Sequence, residues 1–187
     1  LKGPEDVFRL EGADILGLNP PAFDFSWFDL WSRPLGLLKL LGWLASRGNR
    51  VSLLDCLYEA REKPLTHGRW QISRQQLAKP AAYSRIPRRY HRFGLPPEQL
   101  RQRPAALAAP DVVLVTSVMT YWYPAVFETI AVVKSVFPQT PVVLGGIYAA
   151  LCPEHAALSG ADFIMGRGLP EHRSVITPLE LYDRPPY

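Results

Sequence analysis

Five short apolar segments constrain the fold of this chain more than any other feature. They are rich in valine, isoleucine and leucine, and most of them lack a strict alternation of apolar and polar residues. Strands that are covered on both faces have this pattern, which is typical of parallel sheets. The five predicted strands are residues 13–18, 50–57, 111–118, 141–146 and 161–166.

Helical patterns follow most of these strands, and most of the connections are short. Pro104 is expected to kink or divide the predicted helix at 96–109, because proline lacks the N–H group that a helix interior needs. The alternation of strand and helix in 187 residues predicts one domain with a doubly wound, parallel α/β sheet. The four predicted helices are residues 33–48, 96–109, 123–137 and 153–160.

One connection is much longer than the others. Residues 58–95, here named the basic excursion, show no clear periodicity, and a connection of this kind is usually functional or packed separately. Residues 61–103 hold eleven Lys and Arg side chains and two acidic ones, a net charge of +9, whereas the rest of the chain carries −5. Arginines interleaved with aromatic residues such as Trp70 and Tyr83 are also typical of nucleic-acid surfaces.

The residues that follow the strands are the candidates for function, because open parallel sheets bind ligands beyond the carboxyl ends of their strands. These residues are mostly small, aromatic, or polar without charge, which predicts a large, flat and largely neutral ligand. Gly145 and Gly146 end the fourth strand, where glycine fits either a tight turn or a ligand that lies against the backbone. The candidate binding residues are Asn19, Pro20, Ser117, Met119, Thr120, Tyr121, Gly145, Gly146, Tyr148, Gly166 and Gly168.

Several common functions lack their motifs. The chain has neither a G-x-G-x-x-G motif after the first strand nor a G-x-x-x-x-G-K-[ST] motif, so a dinucleotide or P-loop site is not expected. A phosphoacceptor receiver domain needs acidic residues where this chain has Asn19 and Ser117. No set of four ligands has zinc spacing, so no metal site is predicted. With no secretory signal and no long apolar run, we expect a cytoplasmic protein whose two cysteines are free.

Five segments carry a family resemblance, and in chain order they read DILGLNPP, RPLGLLKLLGWLASRG, VLVTSVMTYWYPAV, VVLGGIYAALCPEHA and GADFIMGRG. With these segments the chain resembles, over about residues 13–168, the N-terminal cobalamin-binding domain of cobalamin-dependent radical SAM enzymes. The resemblance implies that the loop after the third strand, the Gly-Gly strand exit and the last loop surround cobalamin. The fold expected is a flavodoxin-like or Rossmann-like five-stranded sheet, order 2-1-3-4-5, with the basic excursion inserted.

The chain departs from related patterns in ways that refine this expectation. It lacks the Asp-x-His-x-x-Gly motif in which a histidine ligates cobalt, so cobalamin is expected without a protein histidine ligand. Its last loop reads GRGLPE, with Arg167 where many relatives have an acid. The Cys-x-x-x-Cys-x-x-Cys signature is also absent. The resemblance therefore implies a cobalamin-binding domain at 1–168 and a linker at 169–187. A missing C-terminal radical SAM domain would hold a 4Fe-4S cluster and S-adenosylmethionine.

The expected function is cobalamin binding on behalf of such an enzyme, for methyl transfer or a radical rearrangement. The cofactor supplies the chemistry, so the 187 residues alone are expected to catalyse nothing. The expected partner is the downstream domain of the same chain, and the small-molecule substrate is not specified. Two alternatives stay open. One is a non-catalytic α/β module that binds nucleic acid or a protein through the basic excursion, and the other is a relative that has lost its cofactor.

Overall fold

A computed structural model describes residues 1–26 and 33–166 of the chain. Two expectations from the sequence lie outside the described residues, namely the candidate site residue Gly168 and the linker at 169–187. Within the described residues, no helix is long and apolar enough to cross a membrane.

Ten strands form the β structure of the described residues. The first, third, eighth, ninth and tenth correspond to the five strands that the sequence predicts. In chain order the strands are β1 (Asp14–Asn19), β2 (Ala22–Asp24), β3 (Arg50–Asp55), β4 (Arg61–Pro64), β5 (Trp70–Ile72), β6 (Arg74–Leu77), β7 (Tyr90–Phe93), β8 (Val112–Ser117), β9 (Val142–Gly146) and β10 (Phe163–Ile164).

Five α-helices accompany the strands in the described residues. The helix after the glycine pair was not predicted from the sequence, because its five residues are too few to show a helical period. Pro104 does not divide its helix but lies one residue before the last one, where little helix remains to be interrupted. The helices are α1 (Leu35–Ser46), α2 (Pro97–Ala105), α3 (Tyr123–Val136), α4 (Ile147–Leu151) and α5 (Pro153–Ala156).

The central sheet has five parallel strands in the order β3-β1-β8-β9-β10. Numbered by the five predicted strands, this is the order 2-1-3-4-5, so the predicted topology is confirmed. Leu18 in the middle of the sheet pairs with Leu54 on one side, and it lies opposite Val115 on the other. The strand order reverses between β1 and β8, which is where an open sheet of this type offers a ligand crevice.

Helices cover both faces of this sheet. On one face, Leu41 and Leu44 of α1 pack in a cluster with Ile15 of β1 and Val143 of β9. This face is called the α1 face. On the other face, which is called the α3 face, helices α2 and α3 pack against the alternate strand residues, with Ile130 in the cluster. The side chains on both faces are apolar and buried, which explains why the strands read as near-continuous apolar runs.

The basic excursion forms β structure of its own. Strands β4 and β5 make an antiparallel hairpin, and β6 and β7 join β2 in a three-stranded antiparallel sheet. The excursion is tied to the main body at Leu95, whose N–H donates to the carbonyl of Cys56. Its strands have only three or four residues each, which is too short for a clear alternating pattern in the sequence.

Candidate functional site

The carboxyl ends of β8 and β9 lie side by side in the sheet. In the parallel register, Thr116 lies opposite Gly145 and Ser117 opposite Gly146. The Ser117 hydroxyl donates to the carbonyl of Met119 at 3.0 Å, which holds the first turn of the loop after β8. Two of the segments that the sequence assigned to the site therefore meet at one edge of the sheet.

A cavity of about 400 Å³ opens on the α1 face next to this edge. It is bounded by α1, by the ends of β8 and β9, by α4 and by the residues after β10. Lys39 carries the one charge among the described residues that line it, and Thr116 has the one other polar side chain. The lining residues are Gly36, Leu37, Lys39, Leu40, Leu114, Val115, Thr116, Val143, Gly145, Gly146, Ile147, Ala150, Met165 and Gly166. We call it the α1 cavity.

Glycine occupies the two positions of the strand exit for different structural reasons. Gly146 has φ of +91°, and a Cβ there would lie 2.5 Å from the carbonyl oxygen of Ser117 and 2.7 Å from the hydroxyl of Thr116. A tight turn against the neighbouring strand therefore requires glycine at this position. A Cβ on Gly145 would meet nothing closer than Met165, at 3.8 Å, so its position is open beside the cavity.

The structure brings only some of the predicted site residues together. Gly145, Gly146 and Gly166 line the α1 cavity. Asn19 is buried, and its Nδ2 donates to Oδ1 of Asp55 at 2.9 Å, so this side chain joins β1 to β3. Pro20 is buried beside it, Ser117 is buried at the strand end, and Thr120 is half-buried in the loop that follows.

Met119 and Tyr121 are exposed on the loop after β8, at 41% and 45% of their surfaces. Asp24 of β2 fixes this loop, because its carboxylate accepts a hydrogen bond from Trp122 Nε1 at 3.0 Å. Burial and the nearby Asp24 carboxylate raise the pKa of the Tyr121 phenol. Met119 and Tyr121 thus offer an apolar and an aromatic surface at the carboxyl edge without a charge.

Tyr148 lies on the other side of the sheet from the α1 cavity. Only 1% of it is exposed, and it packs in the core of the α3 face. Its hydroxyl is bonded to Nδ1 of His155, and burial raises the pKa of the phenol to about 12. The side chain of Tyr148 therefore stabilises the packing of α4 and α5 and does not line the cavity, whereas its neighbour Ile147 does.

The wall that α1 contributes to the α1 cavity was not predicted from the sequence. Gly36, Lys39 and Leu40 of α1 line the cavity, and they are spaced i, i+3 and i+4, so they share one helix face. That spacing was visible in the sequence. The sequence did not show that this face of α1 lies near the glycine pair, because their proximity depends on how the helix crosses β8 and β9.

The aromatic side chains of the basic excursion contact one another. Tyr83 and Tyr90 have ring centroids 5.9 Å apart, and Phe25 lies 5.6 Å from the first ring and 5.2 Å from the second. Tyr90 is only 5% exposed. These rings pack the excursion onto Phe25, the residue that follows β2.

The free energies of unfolding of two variants can separate the roles of Gly145 and Gly146. We expect Gly146→Ala to lower the free energy of unfolding by about 1–3 kcal/mol, because alanine at positive φ is strained and its Cβ meets Ser117. Gly145→Ala, the matched control, should change it by well under about 1 kcal/mol. Chemical denaturation of the two variants measures both values. Equal losses in the two variants would contradict this assignment.

Comparisons with known proteins bear on the same edge of the sheet. Residues 89–171 match the family model of the B12 binding domain, and this range includes β8, β9 and β10 with Gly145, Gly146 and Gly166. Among solved structures, a novel cobalamin-binding protein from Desulfitobacterium hafniense DCB-2 is similar at 13% sequence identity and a TM-score of 0.44. The similarity covers 82% of this chain and 52% of that chain, so our chain spans about half the length of that protein. No curated protein matches the chain. The family match supports a cobalamin-binding domain.

Proposed function

We propose that the chain binds cobalamin at the carboxyl edge of its sheet, with part of the cofactor in the α1 cavity. The observation that carries this proposal is the position of Gly145. It lies in the range that matches the B12 binding domain, and it lines the α1 cavity at a point where no side chain fills the space. A flat group can approach the backbone there, which is one of the two reasons for glycine that the sequence left open.

The chemistry of the α1 cavity fits the nucleotide tail of the cofactor. Leu40, Val143 and Met165 provide apolar walls, and the glycines leave the backbone accessible. An aromatic base buried there gains about 25 cal/mol for each Å² of apolar surface removed from water. Lys39 at the cavity wall supplies a positive charge for the phosphodiester that joins the base to the corrin.

The corrin ring would then lie over the strand ends. Met119 and Tyr121 are exposed there, and they provide apolar and aromatic contacts for a large, nearly neutral ring. The contact of Asp24 with Trp122 holds this loop in place before any ligand arrives, so less entropy is lost on binding. Ser117 and Asn19 support the edge from within the sheet, since both are buried and hydrogen-bonded.

We further propose that the domain serves a radical SAM enzyme, as the resembled family implies. In that family cobalamin, when bound, carries a methyl group or assists a radical step. The residues of this chain would bind and orient the cofactor, and the downstream domain would supply the 4Fe-4S cluster and S-adenosylmethionine.

The binding proposal is tested by titrating hydroxocobalamin into the chain. We expect binding, and we expect Gly145→Val to weaken it at least about tenfold, or about 1.4 kcal/mol, because the valine side chain adds bulk at the cavity wall. Gly3→Val is the matched control, since its Cβ would meet nothing within 4 Å and its φ of −164° suits any residue. Equilibrium dialysis gives the affinities, and thermal melting shows that both variants fold.

Two results would contradict the proposal in different ways. If the unmodified chain failed to bind hydroxocobalamin, both alone and with the proposed downstream domain attached, the alternative of a relative without its cofactor would hold. If Gly145→Val bound as tightly as Gly3→Val, the cofactor would not use the α1 cavity.

The histidines provide a second test, of the cobalt ligand. His155 is held by Tyr148 on the α3 face, and His67 and His91 lie in the basic excursion. We expect each single replacement of His67, His91, His155 and His172 by alanine to leave the visible spectrum of bound cobalamin unchanged. A shift of the absorption bands in any variant would identify a protein ligand to cobalt.

The radical SAM context is tested by the coding sequence that follows codon 187. We expect it to encode a Cys-x-x-x-Cys-x-x-Cys motif within about one further domain length, roughly 100–200 residues. A stop codon, or a following domain without three such cysteines, would overturn this part of the proposal and leave cobalamin binding untouched.

A further inference from the structure

The side chains of the α1 cavity offer a ligand very few hydrogen-bonding partners. Leu114 and Val143 line the cavity from the sheet, and Leu40 lines it from α1. Lys39 is exposed, so its ammonium group can stay in water while its hydrocarbon stem lies along the wall. Among the described lining residues, the hydroxyl of Thr116 is then the one polar side-chain group left for a buried ligand.

Three glycines of the same lining have open space beside them. Apart from its own helix, a Cβ on Gly36 would meet no atom within 4 Å, and the same holds for Gly166. A Cβ on Gly145 would meet nothing closer than 3.8 Å. The backbone can therefore be approached both from α1 and from the strand ends, which suits a flat ligand.

The volume of the α1 cavity limits what can enter it. At about 400 Å³ it lies near the lower end of the range for small-molecule pockets. A cavity of this volume can hold an aromatic base, whereas the much larger corrin ring has to remain outside. The residues of the lining therefore act on the base at the end of the nucleotide tail.

The base is also the part in which one cobamide differs from another. In cobalamin it is a dimethylbenzimidazole, with a single ring nitrogen besides the one bonded to the ribose. An adenine base has further ring nitrogens and an exocyclic amine, all of which are hydrated in water. A polar group that loses its hydration without gaining a hydrogen bond weakens binding, whereas the two methyl groups of the benzimidazole strengthen it when they are buried.

We propose that the α1 cavity selects cobamides by the polarity of this base and binds an apolar benzimidazole in preference to a purine. The inference rests on the proposed function, because it requires the nucleotide tail to enter the cavity. Leu40, Val143 and Met165 pack on the hydrocarbon of the base. The single hydroxyl of Thr116 cannot pair with the amine and all the ring nitrogens of adenine. The backbone groups of β8 and β9 pair with one another in the sheet, so few of them are left for the base.

Equilibrium dialysis of the chain against three probes tests this selectivity. They are hydroxocobalamin, the hydroxo form of the cobamide that carries adenine, and hydroxocobinamide, which lacks the nucleotide tail. We expect hydroxocobalamin to bind at least about tenfold more tightly than the adenine cobamide, because the cavity leaves the polar edge of adenine unpaired. Hydroxocobinamide should also bind at least about tenfold more weakly than hydroxocobalamin, because it leaves the apolar cavity empty.

Leu40→Gln measures the contribution of the cavity wall. Glutamine is similar in size to leucine, and its amide can pair with the amine and an adjacent ring nitrogen of adenine. The ratio of the two cobamide affinities should therefore fall at least about fivefold. Leu35→Gln is the matched control, because it makes the same change in α1 at an exposed position outside the cavity, and it should leave the ratio unchanged.

The ratio of affinities is the decisive quantity. The energy needed to release either base from cobalt is a property of the free cofactor, so it cancels when the ratios of two proteins are compared. Thermal melting shows that both variants fold.

Three results would overturn the inference and leave cobalamin binding in place. They are equal or tighter binding of the adenine cobamide, equal binding of hydroxocobinamide, and an unchanged affinity ratio in Leu40→Gln. Failure of hydroxocobalamin itself to bind would instead overturn the proposed function and this inference with it. The two failures are therefore distinguishable in one set of titrations.

Discussion

The close approach of Gly146 to Ser117 determines the geometry of the whole carboxyl edge. The chain leaves β9 at positive φ, with its backbone so near β8 that a Cβ would lie 2.5 Å from the Ser117 carbonyl. Because the turn is this tight, α4 begins at once with Ile147. Ile147 then lines the α1 cavity, and the next side chain, Tyr148, enters the core of the α3 face. One backbone contact therefore places one side chain on the cavity wall and the next in the core.

This constraint gives the glycine pair two separate functions. Gly146 is needed by the fold, whereas Gly145 leaves open space beside the α1 cavity. A strand exit that served the turn alone would need glycine only at the second position. The fold does not require the first glycine, and the proposed cofactor would account for it. The sequence showed both glycines but could not divide these functions between them, because φ and the position of Ser117 are properties of the folded chain.

The central sheet was predictable because each of its strands is buried on both faces and therefore apolar throughout. Its order followed from the family resemblance and is observed. The site was less predictable. Tyr148 follows the glycine pair just as Ile147 does, yet it faces the opposite layer, since the start of α4 rotates successive side chains by about 100°. Lys39 was missed because α1 is distant in sequence from β9. The burial of Arg92 was not expected, because a charged residue in a basic segment is ordinarily exposed.

The charge asymmetry of the sequence has a structural reason that composition alone could not supply. Part of the positive charge of the segment 61–103 pairs with the acidic body of the protein. Arg92 of the excursion binds Glu128 of α3, and Arg103 of α2 lies 3.4 Å from Glu59 at the start of the excursion. Each of these two ion pairs joins the excursion to the body of the protein. The cost of burying Arg92 is met in part by its hydrogen bonds to Glu128 and Leu95, which its planar guanidinium donates in a fixed geometry.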